Sequence, residues 1–109
     1  MPWLLHEGEV LASLEIAETR RAKRRGLLGR DGIEGALLLE PGRSVHTLGM
    51  RFAIDVAFCD RTKRVVRIRT LPSRRVTWPV WAARSVVEAE AGAFERWGVV
   101  EGDELDWKQ

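Results

Sequence analysis

Between Ser44 and Phe58 the chain places His46, Thr47, Met50 and Asp55 within ten residues and then enters an apolar run. An imidazole oriented by a carboxylate is the layout of general acid–base catalysis, and either Asp55 or the more distant Glu88 could orient His46. Hydrolysis would also need a nucleophile or a metal. Ser44 and Thr47 carry hydroxyls, but neither sits in a Gly-x-Ser-x-Gly turn or a similar frame. Without any reaction, the same side chains can line a polar pocket, or bond backbone amides in a bent loop. As metal ligands, His46, Asp55 and Glu88 supply three donors. Two histidines and one cysteine in the whole chain are a poor inventory, so neither a metal nor a cofactor is expected. Arg25 and Arg30 flank a glycine-hinged loop. Their planar forks could hold a carboxylate or phosphate, or pair with Glu88 or Asp55 inside the fold.

These groups need a scaffold. Val56 and Phe58 alternate with Asp55 and Ala57, so Asp55 faces away from Val56 at the start of a strand. The segments 54–60 and 64–71 share that period around a four-residue turn, and they predict an antiparallel hairpin with Val56, Phe58, Val66 and Ile68 towards the core. Upstream, Val10, Ala12, Leu14 and Ile16 form the apolar set of a half-buried strand over 8–18. Thr19 then caps a helix reaching about Leu28, with Leu27 and Leu28 as anchors. Ala36–Leu39 suits a buried strand. Residues 72–83 form a loop without clear period, 85–89 a strand, 92–98 a short helix ended by glycine, and the chain closes on a turn at Gly102-Asp103 and a last strand. The fold class expected is α+β, mostly β: a small antiparallel sheet or partly closed barrel with two short peripheral helices, in one domain over 1–109.

Composition is that of an ordinary globular chain, 45% apolar and 31% charged. No run approaches the length of a membrane span. The N-terminus meets acid too early for a signal peptide, and the lone Cys59 has no disulfide partner, so a cytoplasmic location is expected. The net charge of +2 is unevenly spread. Residues 61–75 carry Arg61, Lys63, Arg64, Arg67, Arg69, Arg74 and Arg75, whereas Glu88, Glu90, Glu95, Glu101, Asp103, Glu104 and Asp106 dominate the end. Such asymmetry marks an anionic partner, or two regions that meet in the fold; the second explanation is placed first. Trp78 and Trp81 beside Arg74 and Arg75 mimic a surface that stacks on bases, but no nucleic-acid-binding motif accompanies them. They could equally cover one end of the barrel, with Trp97 and Trp107 in the core.

Three fragments at this order and spacing resemble the prokaryotic family known as domain of unknown function 192. They are Ala17-Glu18-Thr19 leading to Arg25-Gly26-Leu27-Leu28-Gly29-Arg30; His46 through Phe58; and Val86-Val87-Glu88-Ala89-Glu90-Ala91-Gly92 with Gly98 and Gly102-Asp103 following. The resemblance implies a compact β-rich domain with peripheral helices, and no established reaction or ligand. Family members often show an aromatic pair before the methionine where this chain has Leu48-Gly49, which implies a wider or differently filled pocket. Many relatives also carry a secretion leader, and the N-terminal residues here are not expected to form one.

The residues fit first a non-catalytic binding module for a small molecule or peptide, with Arg30, His46, Thr47, Met50, Asp55 and Glu88 as ligand-binding residues. An enzyme using His46 with Asp55 or Glu88, hydrolase-like, is the alternative. A weak nucleic-acid or acidic-partner binder working through the basic 61–75 region comes third. The sequence leaves the ligand and the oligomeric state open.

Overall fold

The computed structural model describes residues 2–108. Seven strands form one mixed sheet: β1 (Trp3–His6), β2 (Glu9–Ala17), β3 (Ala36–Leu39), β4 (Ile54–Cys59), β5 (Val65–Leu71), β6 (Ser85–Glu90) and β7 (Leu105–Lys108). Two short helices, α1 (Arg20–Arg25) and α2 (Ala93–Trp97), lie outside it. The strand order is β5-β4-β6-β3-β2-β1-β7. Every pairing is antiparallel except β2 with β3, because α1 and the loop after it return the chain in a crossover. The two edge strands meet at one end only. There Arg64 bridges Glu104, and Val65 N donates to Asp103 O at 2.7 Å. The sheet curls towards a barrel without a continuous ladder to close it.

The sheet buries both of its faces. On one side, Leu4, Leu14, Leu38, Ala57, Val87 and Phe94 belong to a core covered by α2. On the other, Leu27, Leu37, Val45, Met50, Val56 and Val86 belong to a second core under the segments that follow α1 and β3. This is why β3 and β4 are buried at every position. A period of two therefore does not divide inside from outside in the central strands; it divides one core from the other.

That corrects the expected hairpin in detail. β4 and β5 pair as predicted, Val56 opposite Arg69 and Phe58 opposite Arg67, but the register slips between Phe58 and Cys59 so that Val66 is the extra residue. Val66 packs with Val56 and Phe58 on the second core, and Ile68 on the first. A bulge does the same to β2. Leu4 pairs with Ala12 and Leu5 with Val10, so Leu11 is extra and packs on the first core while Val10 is exposed. The apolar set of that strand is thus Leu11, Leu14 and Ile16. Strand β1 is absent from the sequence reading, being four residues with no alternation to betray it.

Helix α1 begins where predicted, Thr19 Oγ1 accepting from Ala22 N at 2.9 Å. It ends at Arg25, three residues early, because Gly26 leaves the helix at φ 49°, ψ −123°, a conformation that a side chain would strain. Leu27 is buried and Leu28 packs on the second core. Trp97 and Trp107 pack against the first core. Trp78 and Trp81 cover nothing: they stand in solvent.

The basic and acidic regions meet. Lys63 pairs with Asp106 at 2.7 Å and Arg64 with Glu104 at 2.8 Å, while Arg69 approaches Glu101 at 3.7 Å. The Lys63 ammonium holds the Asp106 carboxyl below the usual carboxylate range, and it also lies over the Trp107 ring. These pairs line the seam between the sheet edges, and so do not form a free cationic strip.

Asp55 is a structural hub. Its Oδ1 accepts from the Thr70 hydroxyl at 2.7 Å, and its Oδ2 accepts from Gly92 N at 3.0 Å and Phe94 N at 3.3 Å. The N-cap of α2 is Gly92, which has no side chain, so Asp55 supplies the cap from another strand. Asp55→Ala is expected to cost about 1–3 kcal/mol for each buried donor left without a partner, against about 0.5 kcal/mol or less for exposed Arg69→Ala. Denaturant midpoints at unchanged slope check this, and equal midpoints for the two variants would refute it.

Candidate functional site

Of the six residues singled out from sequence, three reach one cavity. His46, Met50 and Glu88 line a space of about 60 Å³ with Lys23, Arg25 and Gly26. The walls come from the end of α1 and from the 44–50 loop, and Glu88 on β6 forms the floor. The cavity has room for about two waters or one small polar group.

The other three lie elsewhere. Register explains Asp55: on β4 it sits opposite Ala89 of β6, whereas Glu88 sits opposite Val56. Opposed residues of an antiparallel pair share a face, so Asp55 and Glu88, on neighbouring strands, point into different cores. Thr47 is fully buried, but its hydroxyl is used. It donates to Pro72 O and accepts from Arg75 N, both at 2.8 Å, while the Thr47 backbone pairs with Arg74 and Arg75. It fastens the 72–77 segment over the second core. Arg30 makes a two-pronged pair with Glu15 at 2.8 and 3.0 Å, and neither Glu88 nor Asp55 takes part. That bond holds the Glu15 carboxyl below its ordinary range.

Glu88 is the residue whose chemistry is unspent. It is 3% exposed, and among the described residues its Oε1 has no hydrogen-bond partner. A buried carboxyl normally finds a donor or a cation. One wall facing it is Gly26, where a side chain's first carbon would lie 3.5 Å from Oε1. Loss of solvent pushes the Glu88 carboxyl up to about 7. His46 is exposed at the rim, and Met50 is buried beside it. Lys23, Arg24 and Arg25, the last turn of α1, give the rim a positive charge. Among the described residues no group of three or more His, Cys, Asp or Glu is placed to hold a metal ion. Cys59 is buried, and its thiol is pushed up to about 12, chiefly by burial, so it stays a packing residue.

Sequence singles out Arg25 as an anion-holding side chain, but not Lys23 or Arg24, and it does not place Gly26 against Glu88. The available signal is the glycine late in a basic helix, which by itself marks only a hinge or the helix end.

The model of the family DUF192, "Uncharacterized ACR", matches residues 4–107. Among curated proteins, the chain is similar to a UPF0127 protein of Pyrococcus furiosus, 41% identical over 66 residues, or 61% of this chain and 57% of that protein. It is also similar to a UPF0127 protein of Thermococcus gammatolerans, 31% identical over 100 residues, or 86% of this chain and 65% of that protein. The chain thus covers less than two thirds of the length of either relative. Among solved structures, a Novosphingobium aromaticivorans protein of unknown function superposes with a TM-score of 0.80 at 18% identity, covering 97% of this chain and 83% of that one. A proposed transcription regulator of Sinorhizobium meliloti gives 0.82 at 19% identity, covering 97% and 91%. At these identities the likeness is one of fold.

The Glu88 carboxyl makes stability depend on pH in a direction opposite to that of a salt-bridged acid. Folded, it keeps its proton up to about pH 7, while the unfolded chain releases it near 4.5. The folded state therefore binds more protons in that window, and stability falls as pH rises through it. Glu88→Gln has nothing to titrate, so the variant is expected to gain on the wild type by up to about 3 kcal/mol between pH 4.5 and 8. Urea denaturation of both proteins at the two pH values measures the gap. A gap that does not change with pH would remove Glu88 from this role.

Proposed function

The chain belongs to the DUF192 family, and we propose that within this fold it acts as a small-molecule or peptide binding module whose cavity takes a hydrogen-bond donor on the Glu88 carboxyl. The observation that carries this reading is the buried Oε1 without a partner, facing the side-chain-free wall at Gly26. The cavity admits only the tip of a ligand, and the rest of the molecule would lie at the rim among Lys23, Arg24, Arg25 and His46. A ligand matched to both parts joins a donor such as an ammonium to an anionic group. Free amino acids and short peptides combine the two. The rim guanidiniums suit a carboxylate through paired bonds, and the buried carboxyl suits the donor.

A second reading keeps the same residues for catalysis. A carboxyl lifted to about 7 is matched to proton transfer at neutral pH, and His46 lines the same cavity. Asp55 has no part in it, its oxygens being engaged on the other face of the sheet.

A thermal-shift panel of amino acids and dipeptides tests the binding reading. A ligand at a hundred times its Kd adds about 2.7 kcal/mol, which raises Tm by about 10 °C or more in a domain of this size. The shift is expected to vanish in Glu88→Gln and to shrink in Arg25→Ala. A panel that moves neither wild type nor variant would sink the proposal, and turnover of a dipeptide that is lost in Glu88→Gln would select the catalytic reading.

A further inference from the structure

On the rim of the second core, two segments run side by side. Thr47 N donates to Arg75 O at 2.7 Å, Thr77 N to Val45 O at 2.8 Å and Val80 N to Arg43 O at 2.7 Å, with a bridge between His46 and Val76. Together with the buried Thr47 hydroxyl, these bonds fix the backbone of the 72–80 segment. Large side chains on it and just after it nonetheless point away from the protein: Trp78 is 90% and Trp81 75% exposed, with Val76 and neighbouring Leu48 also out in solvent. Four apolar side chains held in water by a fixed backbone are costly unless something covers them.

The surrounding charge says what kind of partner fits. Neither residues 41–54 nor residues 61–87 contain a single Asp or Glu. Arg43, Arg74, Arg75 and Arg84 flank the tryptophans, and among the described residues none of the four pairs with an acid, unlike Lys63, Arg64 and Arg69 at the seam. Arg43 instead donates to Ala83 O. The face combines apolar tips, two indoles and an acid-free arginine border. An indole with one apolar and one polar edge suits the boundary between lipid headgroups and acyl chains, and arginines suit anionic headgroups. A nucleic acid would use the indoles and arginines but would leave Leu48 and Val76 uncovered.

We propose that this face docks the protein on the surface of a bilayer containing anionic lipid, with Trp78 and Trp81 inserted at the headgroup level and the arginines on the phosphates. The docking is peripheral: no helix among the described residues is long and apolar enough to cross a membrane.

Co-sedimentation with vesicles of phosphatidylcholine and phosphatidylglycerol, against vesicles of phosphatidylcholine alone, is the test. The full chain is expected to partition onto the anionic vesicles at low salt. The double variant Trp78→Ala/Trp81→Ala should lower that partition about tenfold or more, through lost apolar burial. Arg75→Glu/Arg84→Glu should lower it about twentyfold or more, through lost attraction to the headgroups. Neither pair packs in a core, so both variants should melt like the wild type. Quenching of tryptophan emission by brominated phosphatidylglycerol should disappear with the tryptophan pair, which separates insertion from simple charge attraction. No partition at low salt, or partition indifferent to the tryptophans, would overturn the proposal. So would binding of single-stranded oligonucleotides through the same residues in the absence of vesicle binding, which would assign the face to nucleic acid.

Discussion

Two carboxylates buried on neighbouring strands of the sheet have opposite fates, and the architecture hangs on the first. Asp55 joins β4 to Thr70 on β5 and caps α2 through Gly92 and Phe94. A five-residue helix cannot hold itself together in water, because forming its first turn costs more than its few bonds return. It persists because a strand supplies the cap that Gly92 lacks and because Phe94 is buried in the first core. Phe94 in turn meets Trp97 edge to face, their centroids 5.5 Å apart. Removing the carboxylate would release the helix from the face that it covers.

Glu88 is the counterpart. It occupies the same sheet, one strand over, but its face is closed by a loop and the end of α1 rather than by a set of aimed amides. Gly26 ends the helix in a conformation open only to glycine and at the same time leaves the wall in front of Oε1 bare. A residue with a side chain there would strain the backbone and set its first carbon in van der Waals contact with the carboxyl. One small residue thus sets where the helix stops and keeps a small cavity in front of an unsatisfied acid. Such a group reduces stability at neutral pH. Its position next to a positive rim is what makes the cavity a candidate for binding rather than a packing fault.

Charge is divided by the same logic. The basic residues of β5 and the turn before it meet the acidic C-terminal segment across the open seam, where their pairs hold together two edges that no ladder joins. Exposed pairs of this kind contribute little each, and the backbone bonds from Val65 and Leu105 do more to fix the seam. Among the described residues, the arginines of the 72–84 region pair with no acid. The asymmetry visible along the chain therefore resolves into one neutralised edge and one face that keeps its charge.

The sequence by itself determined the local elements: the β4–β5 hairpin from its shared period, β3 from an apolar run, the cap at Thr19, the glycine stop of α2 and the family from three ordered fragments. These depend on neighbours in the chain, whose geometry is set by backbone sterics and side-chain period. Only the tertiary structure decided which face each residue serves. Both faces of the central strands are buried, so alternation could not tell one core from the other, and two bulges reversed the phase partway along β2 and β5. Hence Asp55, Glu88 and His46 looked like one cluster in the sequence, although the register of β4 against β6 sends Asp55 to the opposite side. Nor could the sequence show that Thr47 is spent on Arg75 and Pro72, or that Glu88 is left without a donor. A hydrogen-bond partner is supplied by whichever distant segment the sheet brings alongside, and that is a property of the closed fold, not of the chain.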